Sequence, residues 1–354
     1  MTRRSPGVSR VLLLSLFALA FTGCQAAGYY WHLASGHAAI MGDRQPLEEA
    51  LASEGLAPRE RALLEQVPDM LAFARDELAM PTGRAYRQYV ALDRNWTVLN
   101  LVAAPEFSME ANQWCYPLTG CLGYRGYFDP ARAEREAERL RAQGLEVYRG
   151  GAVAYSTLGW FADPILSPML HQDLPYLAEL LFHELAHRRF WLPGDITFNE
   201  SLATSVGREG ARRWLAARGH RKAVETVEQR AVARRMLAAM VEDTRDQLKA
   251  LYDSGADEAT MRARRQVIVD RLRDDFRQGM EVEPALARWA SWMDGPLNNA
   301  QLNSFSDYHR WVPAFDRLLR DCDGDWPCFW AQVEEVAALP RAEREHFLEE
   351  QTHP

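Results

Sequence analysis

The strongest constraint on how this chain folds is an apolar segment that carries two histidines. The segment L-A-E-L-L-F-H-E-L-A-H (177–187) is rich in Leu and Ala, which favour helices, and it places His183 and His187 four positions apart. On an α-helix, residues four apart lie on one face, about 6 Å apart along the axis. The pattern therefore predicts a buried helix on which two imidazoles can bind one Zn²⁺.

The glutamate between the histidines has a different predicted role. Glu184 is rotated by about 100° from His183 on the same helix, so it need not bind the metal. Zinc lowers the pKa of a water ligand toward ~7, and Glu184 can then take a proton from that water and pass it to a leaving amine. The alternative is that both histidines are structural residues on a helix that faces the core.

A third metal ligand is predicted shortly after this helix. Pro193 and Gly194 must end the helix, and either Asp195 or Thr197 can cap the next one. Two antiparallel helices joined by this short loop would bring Glu200 back toward the histidines, which completes a His₂Glu ligand set. The alternative is a capping box in which Glu200 bonds back to Thr197.

The beginning of the chain predicts export. Basic residues at positions 3, 4 and 10 precede an apolar run at 11–21, which is typical of a secretory signal peptide over residues 1–23. The run is shorter than the ~20 residues of a transmembrane helix, and a membrane anchor that is never cleaved is the alternative. The sequence A-F-T-G-C (20–24) resembles a bacterial lipobox, which implies lipidation of Cys24 and attachment to a membrane. Gln25 after it resembles an outer-membrane address, so we expect a lipid-anchored protein that faces the periplasm.

The four remaining cysteines form two close pairs in the sequence. Cys115 and Cys121 lie six positions apart, and so do Cys322 and Cys328. Disulfides persist in the oxidising space outside the inner membrane, so we expect both pairs to be oxidised. Cross-pairing between the two loops stays open, as does a four-cysteine zinc site, although the spacing differs from that of zinc knuckles.

The composition and the pattern of apolar residues indicate one α+β domain over residues 24–354. The 41 basic and 49 acidic residues give a net charge of −8, which argues against a nucleic-acid partner. Strands are expected at 96–104 and, split at Gly150-Gly151, within 145–161. Helices are expected at 130–143 and as a long charged pair within 222–278.

Several further motifs resemble one known family. N-E-S-L-A after H-E-L-A-H resembles the N-E-x-x-A element of the glutamate-zincin peptidases, and most of the mature chain is similar to the predicted zinc-dependent aminopeptidases among bacterial lipoproteins. The other matching segments are G-Y-Y-W (28–31), A-A-P-E-F-S (103–108), Q-W-C-Y-P-L-T-G-C (113–121), A-Y-S-T-L-G-W-F (154–161), F-N-E-S-L-A-T (198–204), L-N-N-A (297–300) and Y-H-R-W-V-P-A-F (308–315). The resemblance implies a mostly helical, zincin-like fold with a small mixed sheet before the zinc-binding helix. It also implies hydrolysis of peptides, with an aminopeptidase as the expected activity.

The zincin resemblance also implies a substrate cleft beside the zinc-binding helix. In zincins an edge strand pairs with the extended backbone of the substrate, and residues 153–160 are the expected counterpart. Tyr155, Ser156 and Gly159 would then line the cleft. A plain structural strand is the alternative.

The expected reaction also needs a hydrogen-bond donor to the oxyanion and, for an aminopeptidase, a carboxylate that holds the substrate amine. Tyr308 is the predicted donor, with the adjacent His309 as its alternative. Glu106 and Glu209 are both possible partners of the amine. The competing hypothesis for the whole chain is a non-catalytic, zinc-binding envelope lipoprotein that acts as a binding or assembly module, and a third is zinc-dependent hydrolysis of a non-peptide amide.

Overall fold

The computed structural model describes residues 27–116, 120–157, 160–306 and 309–352. The described chain is mostly helical with small sheets, which confirms the predicted α+β class. Within these ranges, no helix combines the length and the apolar character that crossing a bilayer requires. The predicted signal peptide and Cys24 lie outside the described residues.

The first half of the chain alternates short helices and strands. In order, its elements are α1 (27–42), β1 (Gln45–Pro46), α2 (Leu47–Ala52), α3 (Pro58–Leu64), α4 (Val67–Asp76), β2 (Gln88–Val90), β3 (Val98–Pro105), β4 (Trp114–Tyr116), β5 (Gly120–Leu122), β6 (Tyr124–Tyr127), α5 (Pro130–Ala142), β7 (Leu145–Ala152) and β8 (Ile165–Leu166).

The second half contains helices only. They are a 3₁₀ turn (Ser167–Leu170), α6 (Leu174–Arg189), α7 (Ile196–Ala217), α8 (Arg221–Tyr252), α9 (Glu258–Val282), a second 3₁₀ segment (Pro284–Trp289), α10 (Ala290–Met293), α11 (Asn299–Ser306), α12 (Val312–Asp321), α13 (Trp326–Ala338) and α14 (Arg341–Thr352).

The larger sheet has β3 at its centre, between the antiparallel strands β6 and β7. Its outer surface is covered by α5, whose buried residues Ala133, Ala137 and Leu140 recur at helical spacing. The expected split at Gly150-Gly151 is wrong, because β7 pairs with β3 without interruption from Leu145 to Ala152. A long partner strand therefore outweighs the weak strand preference of two glycines.

The predicted strand over residues 153–160 is also wrong in its described part. The pairing of β7 with β3 ends at Ala152, and residues 153–157 have no regular structure. The chain turns away because the hydroxyl of Thr157 donates to Asp163 Oδ1 at 2.7 Å. β7 is therefore the edge strand of this sheet that precedes α6 most closely, and it ends earlier in the chain than the expected strand.

A second small sheet leads directly into α6. Its strand β2 pairs antiparallel with β1 and parallel with β8, so this sheet is mixed. After β8 the chain makes the 3₁₀ turn and enters α6, which is the helix with the two histidines. A small mixed sheet before this helix matches the expectation from the sequence.

Two hydrophobic cores stabilise the helical half. The main core surrounds α6 and α7 and includes the fully buried Phe182, Trp214 and Phe315. A separate core joins the predicted pair of long helices, α8 and α9, through residues such as Leu237 and Phe276. Burial of each large apolar side chain contributes roughly 1.5–3 kcal/mol, so each core can hold its helices in place.

Both predicted disulfides are present. Cys115 and Cys121 face each other across the β4–β5 hairpin, and Cys322 is joined to Cys328 between α12 and α13. Neither cross-pairing between the loops nor a four-cysteine zinc site is therefore formed. Each bridge closes a short local loop, which is the geometry that the six-residue spacing predicts.

Candidate metal centre and cleft

Two caps set the directions of the helices that build the site. The carboxylate of Asp173 accepts a hydrogen bond from the Tyr176 amide at 3.1 Å and begins α6. Asp195 accepts from the Phe198 amide at 3.1 Å and begins α7. Thr197 therefore lies inside α7 rather than at its cap, so the capping-box alternative for Glu200 is wrong.

The loop between α6 and α7 is held by the residue before the glutamate. Asn199 accepts from the Leu192 amide and donates to the Leu192 carbonyl, both at 2.8 Å. These two bonds fix the first turn of α7 against the end of the loop. Asn199 is 1% exposed, so it acts structurally and places the neighbouring Glu200.

The two helices also pack unusually closely. A Cβ on Gly207 would lie 2.5 Å from the Glu179 carbonyl oxygen and 3.1 Å from His183 Cβ. Only a residue without a side chain fits at this crossing. The close approach brings the start of α7 under the histidine face of α6.

Three side chains converge where the helices meet. His183 Nε2 and His187 Nε2 are 3.1 Å apart, and Glu200 Oε2 lies 3.3 Å from the first and 3.5 Å from the second. In a tetrahedral zinc site with ligand bonds of about 2.0–2.1 Å, neighbouring ligand atoms are about 3.3 Å apart. Among the residues that the structure describes, this is the one His/Cys/Asp/Glu group placed to hold a metal ion.

The electrostatics of this group favour an ionised ligand. Burial disfavours the charged form of Glu200, but the imidazoles of His187 and His183 outweigh that effect and hold its pKa at about 2. Glu200 is therefore a carboxylate, which is the form that binds metals. His187 and Glu200 are almost fully buried, whereas His183 keeps more contact with the solvent.

Glu184 is placed as the sequence predicts, away from the ligand atoms and with the opposite pKa shift. Burial is the main cause that raises its pKa to about 7; His183 opposes this shift, and the charges of Glu200 and Asp163 add to it. A carboxyl group that titrates near neutral pH is suited to accept and return a proton.

A cavity of about 750 Å³ opens over these residues. The side chains of His183, Glu184, His187 and Glu200 lie in one of its walls. Its size falls within the range of pockets that bind small ligands and short peptides. The cavity also reaches β7, whose last residues, Gly151 and Ala152, form part of its lining.

The structure places some of the other predicted site residues at this cavity. Tyr155, Ser156 and His309 line it, whereas Gly159 and Tyr308 lie outside the described residues. Glu106 pairs with Arg262, and Glu209 pairs with Arg212 and Arg213. Neither of these two glutamates lines the cavity, so the suggestion that one of them holds a substrate amine is wrong.

Two polar residues that bear on the chemistry of the cavity were not identified from the sequence, and the first is His37. Its Nδ1 lies 2.8 Å from the hydroxyl of Tyr155, and its ring packs on Phe161 with 4.5 Å between the ring centres. His37 is 118 residues from Tyr155 in the sequence and has no ligand spacing to another histidine. No local signal identifies it, except that Tyr29, Leu33 and His37 share one face of α1.

The second missed residue is Glu179, which lies one turn before His183 on α6. It lines the same cavity, and its Oε2 accepts from Arg234 at 3.1 Å. Its buried Oε1 has no hydrogen-bond partner among the described residues. The four-residue spacing to His183 was a visible signal, since it places both side chains on one face.

The fold and the site define an α+β protein in which a buried His₂Glu group lies in the wall of a ligand-sized cavity. The chain belongs to the family described as "Putative aminopeptidase", whose model matches residues 28–348. Membership supports peptidase activity at a coarse level. No curated protein and no solved structure matches the chain.

Proposed function

We propose that this protein is a zinc-dependent peptidase, and specifically an aminopeptidase anchored by lipid in the cell envelope. The observation that carries the proposal is the convergence of two imidazole nitrogens and one carboxylate oxygen, 3.1–3.5 Å apart, in a cavity wall. His183, His187 and Glu200 would hold the metal. Membership in an aminopeptidase family supports the peptide substrate.

The residues around the group have distinct roles in this proposal. When bound, Zn²⁺ acts as a Lewis acid and makes water a nucleophile near neutral pH. Glu184, with its raised pKa, accepts the proton of the attacking water and delivers it to the leaving amine. The edge strand β7 ends at the cavity and is placed to pair with an extended peptide backbone.

The proposal that the amino end is attacked rests on Glu179. A free amino terminus is a cation, and a site that selects it needs a carboxylate close to the reacting bond. Glu179 lies about 6 Å along α6 from His183 and has one buried oxygen without a described partner. It therefore replaces Glu106 and Glu209 as the candidate for holding the substrate amine.

Metal analysis and one isosteric variant test the proposal together. The purified protein should hold one zinc per chain, and His187→Ala should lose it. Glu184→Gln should keep the zinc but lose peptidase activity by about 10²–10⁴-fold, because it can no longer accept a proton. A Glu184→Gln variant as active as the wild type would favour a zinc-binding module or another reaction, and a wild type without zinc would remove the proposed site.

The same assay identifies the end that is attacked. Peptides with a free amino terminus should be cleaved, and their N-acetylated forms should not. Glu179→Gln should raise KM for the free peptides while leaving the zinc content unchanged. Equal cleavage of blocked and free peptides would exclude the aminopeptidase assignment but leave the zinc peptidase intact.

A further inference from the structure

The outward face of α1 carries no charged side chain. All sixteen residues at 27–42 lack Asp, Glu, Lys and Arg, in contrast to the charged surfaces of α8, α9 and α14. The exposed positions recur at helical spacing and form one stripe: Ala27, Tyr30, Trp31, Ala34, Ser35, Ala38, Ala39 and Gly42. Trp31 is 73% exposed and Tyr30 is 44% exposed, which is unusual for side chains of this size.

The inner face of the same helix belongs to the site. Tyr29, Leu33 and His37 line the catalytic cavity, and Ile40 packs in the main core. One helix thus separates the cavity from the uncharged stripe. Whatever covers the stripe lies one helix diameter, about 10 Å, from the cavity.

The stripe continues beyond the end of α1 onto two more exposed aromatic side chains. Trp160 is 74% exposed and Phe161 is 52% exposed, and both line a second cavity together with Ala38 and Met41. Phe161 also contacts His37, so the segment with Trp160 and Phe161 lies against the last turns of α1. We call the α1 stripe together with Trp160 and Phe161 the docking face.

Three arginines border the docking face. Arg44, Arg84 and Arg87 line the second cavity, and no Asp or Glu among the described residues lines it with them. Arg84 and Arg87 are exposed, and none of the three arginines forms an ion pair within the described part of the chain. An uncharged aromatic surface with unpaired cations at its border is complementary to an anionic, partly apolar partner.

We propose that the docking face binds the surface of a phospholipid bilayer with anionic headgroups. Trp and Tyr favour the interface between headgroups and acyl chains, and arginines near it are attracted to anionic lipids. The predicted lipidation site, Cys24, lies three residues before α1, and α1 is about 24 Å long. A helix that follows an acylated cysteine this closely and lies along the membrane would place the whole docking face against the lipid.

A second copy of the chain is a poorer occupant of this surface. In a two-fold dimer through the docking face, the arginines of both copies would approach each other without an acidic partner. The bilayer proposal does not depend on zinc or on peptidase activity. If both hold, the cavity would be positioned to receive peptides close to the membrane.

Vesicle binding by the unlipidated chain tests the proposal. The protein from Gln25 onward contains every residue that the structure describes, so its fold does not rest on the leader. It should co-sediment with phosphatidylcholine vesicles that contain phosphatidylglycerol, and binding should weaken as salt rises. The double variant Trp31→Ala/Trp160→Ala should bind at least tenfold more weakly. The matched control, Val267→Ala/Val282→Ala, removes side chains that are 65% and 80% exposed on α9 and should bind like the wild type.

The arginines are tested by a second matched pair. Arg84→Ala/Arg87→Ala should weaken binding to the anionic vesicles roughly 30-fold, since each arginine near the surface contributes about fivefold. Arg264→Ala/Arg271→Ala, which removes two exposed arginines of α9, should leave binding unchanged. No binding by the wild type, or equal losses in both arginine pairs, would overturn the proposal. A wild-type dimer that Trp31→Ala/Trp160→Ala converts to a monomer would instead make this face a subunit interface.

Discussion

The two walls of the cavity are built by different means. The first wall is the α6–α7 pair, whose helices carry His183, Glu184, His187 and Glu200. The two helices approach each other closely at Gly207. The second wall is formed by α1, residues 153–157 and Phe161. Its polar groups are held by side-chain hydrogen bonds, such as the 2.8 Å contact between His37 and Tyr155.

The difference teaches how a rigid His₂Glu group can share a cavity with an adaptable surface. The His₂Glu side chains of the first wall are held by the close packing of α6 against α7 and by the caps at the beginning of both helices. Few alternative side-chain rotamers are therefore open to them. The second wall has no regular structure at 153–157 and can change its side-chain positions at little cost.

Arg188 connects the two walls. It follows His187 directly, and its guanidinium donates to the Phe161 carbonyl at 3.0 Å and pairs with Asp163 at 3.4 Å. Asp163 in turn accepts from the Thr157 hydroxyl. The charged residue directly after the second histidine is thus explained by its contact with the second wall.

The largest expected effect on stability in this comparison of the two walls comes from Glu184, in the first wall. In the metal-free protein, Glu184 has a pKa of about 7 when folded, against an ordinary value of 4.5. Since folding raises this pKa, the folded state is penalised as pH rises from 4.5 to 7, and the full penalty of about 3 kcal/mol remains above pH 7. Glu184→Gln should therefore stabilise the metal-free protein by about 3 kcal/mol at pH 8 and by less than about 1 kcal/mol at pH 5, measured by urea unfolding.

Glu200 provides the matched control with the opposite sign. Its pKa is lowered to about 2, so its charge stabilises the folded state above pH 4.5, and this stabilisation is lost as pH falls through 4.5 toward 2. Glu200→Gln should accordingly destabilise the metal-free protein at pH 6, below the ordinary pKa of the imidazoles whose charge lowers the pKa of Glu200. If both variants change stability in the same direction, the two carboxylates are not in the contrasting environments described here.

A smaller effect should follow from loosening the helix crossing. Gly207→Ala places a methyl group 2.5 Å from a backbone oxygen of α6, so the helices must separate. We expect a loss of about 2 kcal/mol in the free energy of unfolding and a weaker affinity for zinc, because His183 must move. Chelator competition measures the affinity, and thermal unfolding measures the stability.

Gly28→Ala is the control for that change. Gly28 lies in α1, and a Cβ there would have no atom within 4 Å. Its substitution should leave zinc affinity unchanged and should stabilise the helix by up to about 1 kcal/mol. Equal losses in both glycine variants would mean that the close crossing does not hold the ligands in place.

The arrangement of the first wall could be predicted from the sequence because its three converging side chains lie within 18 positions, from His183 to Glu200. Helical periodicity fixes the faces of His183 and His187, and a short loop leaves Glu200 few directions. The same locality made the two disulfides and the α8–α9 pair predictable. In each of these cases the interacting residues are neighbours in the sequence.

The second wall could not be predicted for the opposite reason. His37 and Tyr155 meet only because α1 packs beside the larger sheet, and no spacing in the sequence reports that contact. The bounds of β7 depended on pairing with β3 rather than on Gly150 or Gly151 themselves. The rejection of Glu106 has the same origin, since Arg262 from a distant segment pairs with it. Glu209 differs, because its partners Arg212 and Arg213 are its neighbours on α7.

The smallest predicted effect tests whether the two walls are energetically separate. Tyr155→Phe removes the hydroxyl that contacts His37 and should cost about 1 kcal/mol of stability, because the buried imidazole loses a partner. Tyr148→Phe is the control, since its hydroxyl has no described hydrogen-bond partner, and it should change stability by less than about 0.5 kcal/mol. Zinc content should be the same in both variants, because the ligands depend on α6 and α7 alone. If Tyr155→Phe releases zinc, the bridge through Arg188 and Asp163 transmits strain between the walls, and the metal group is supported by the whole cavity rather than by one helix pair.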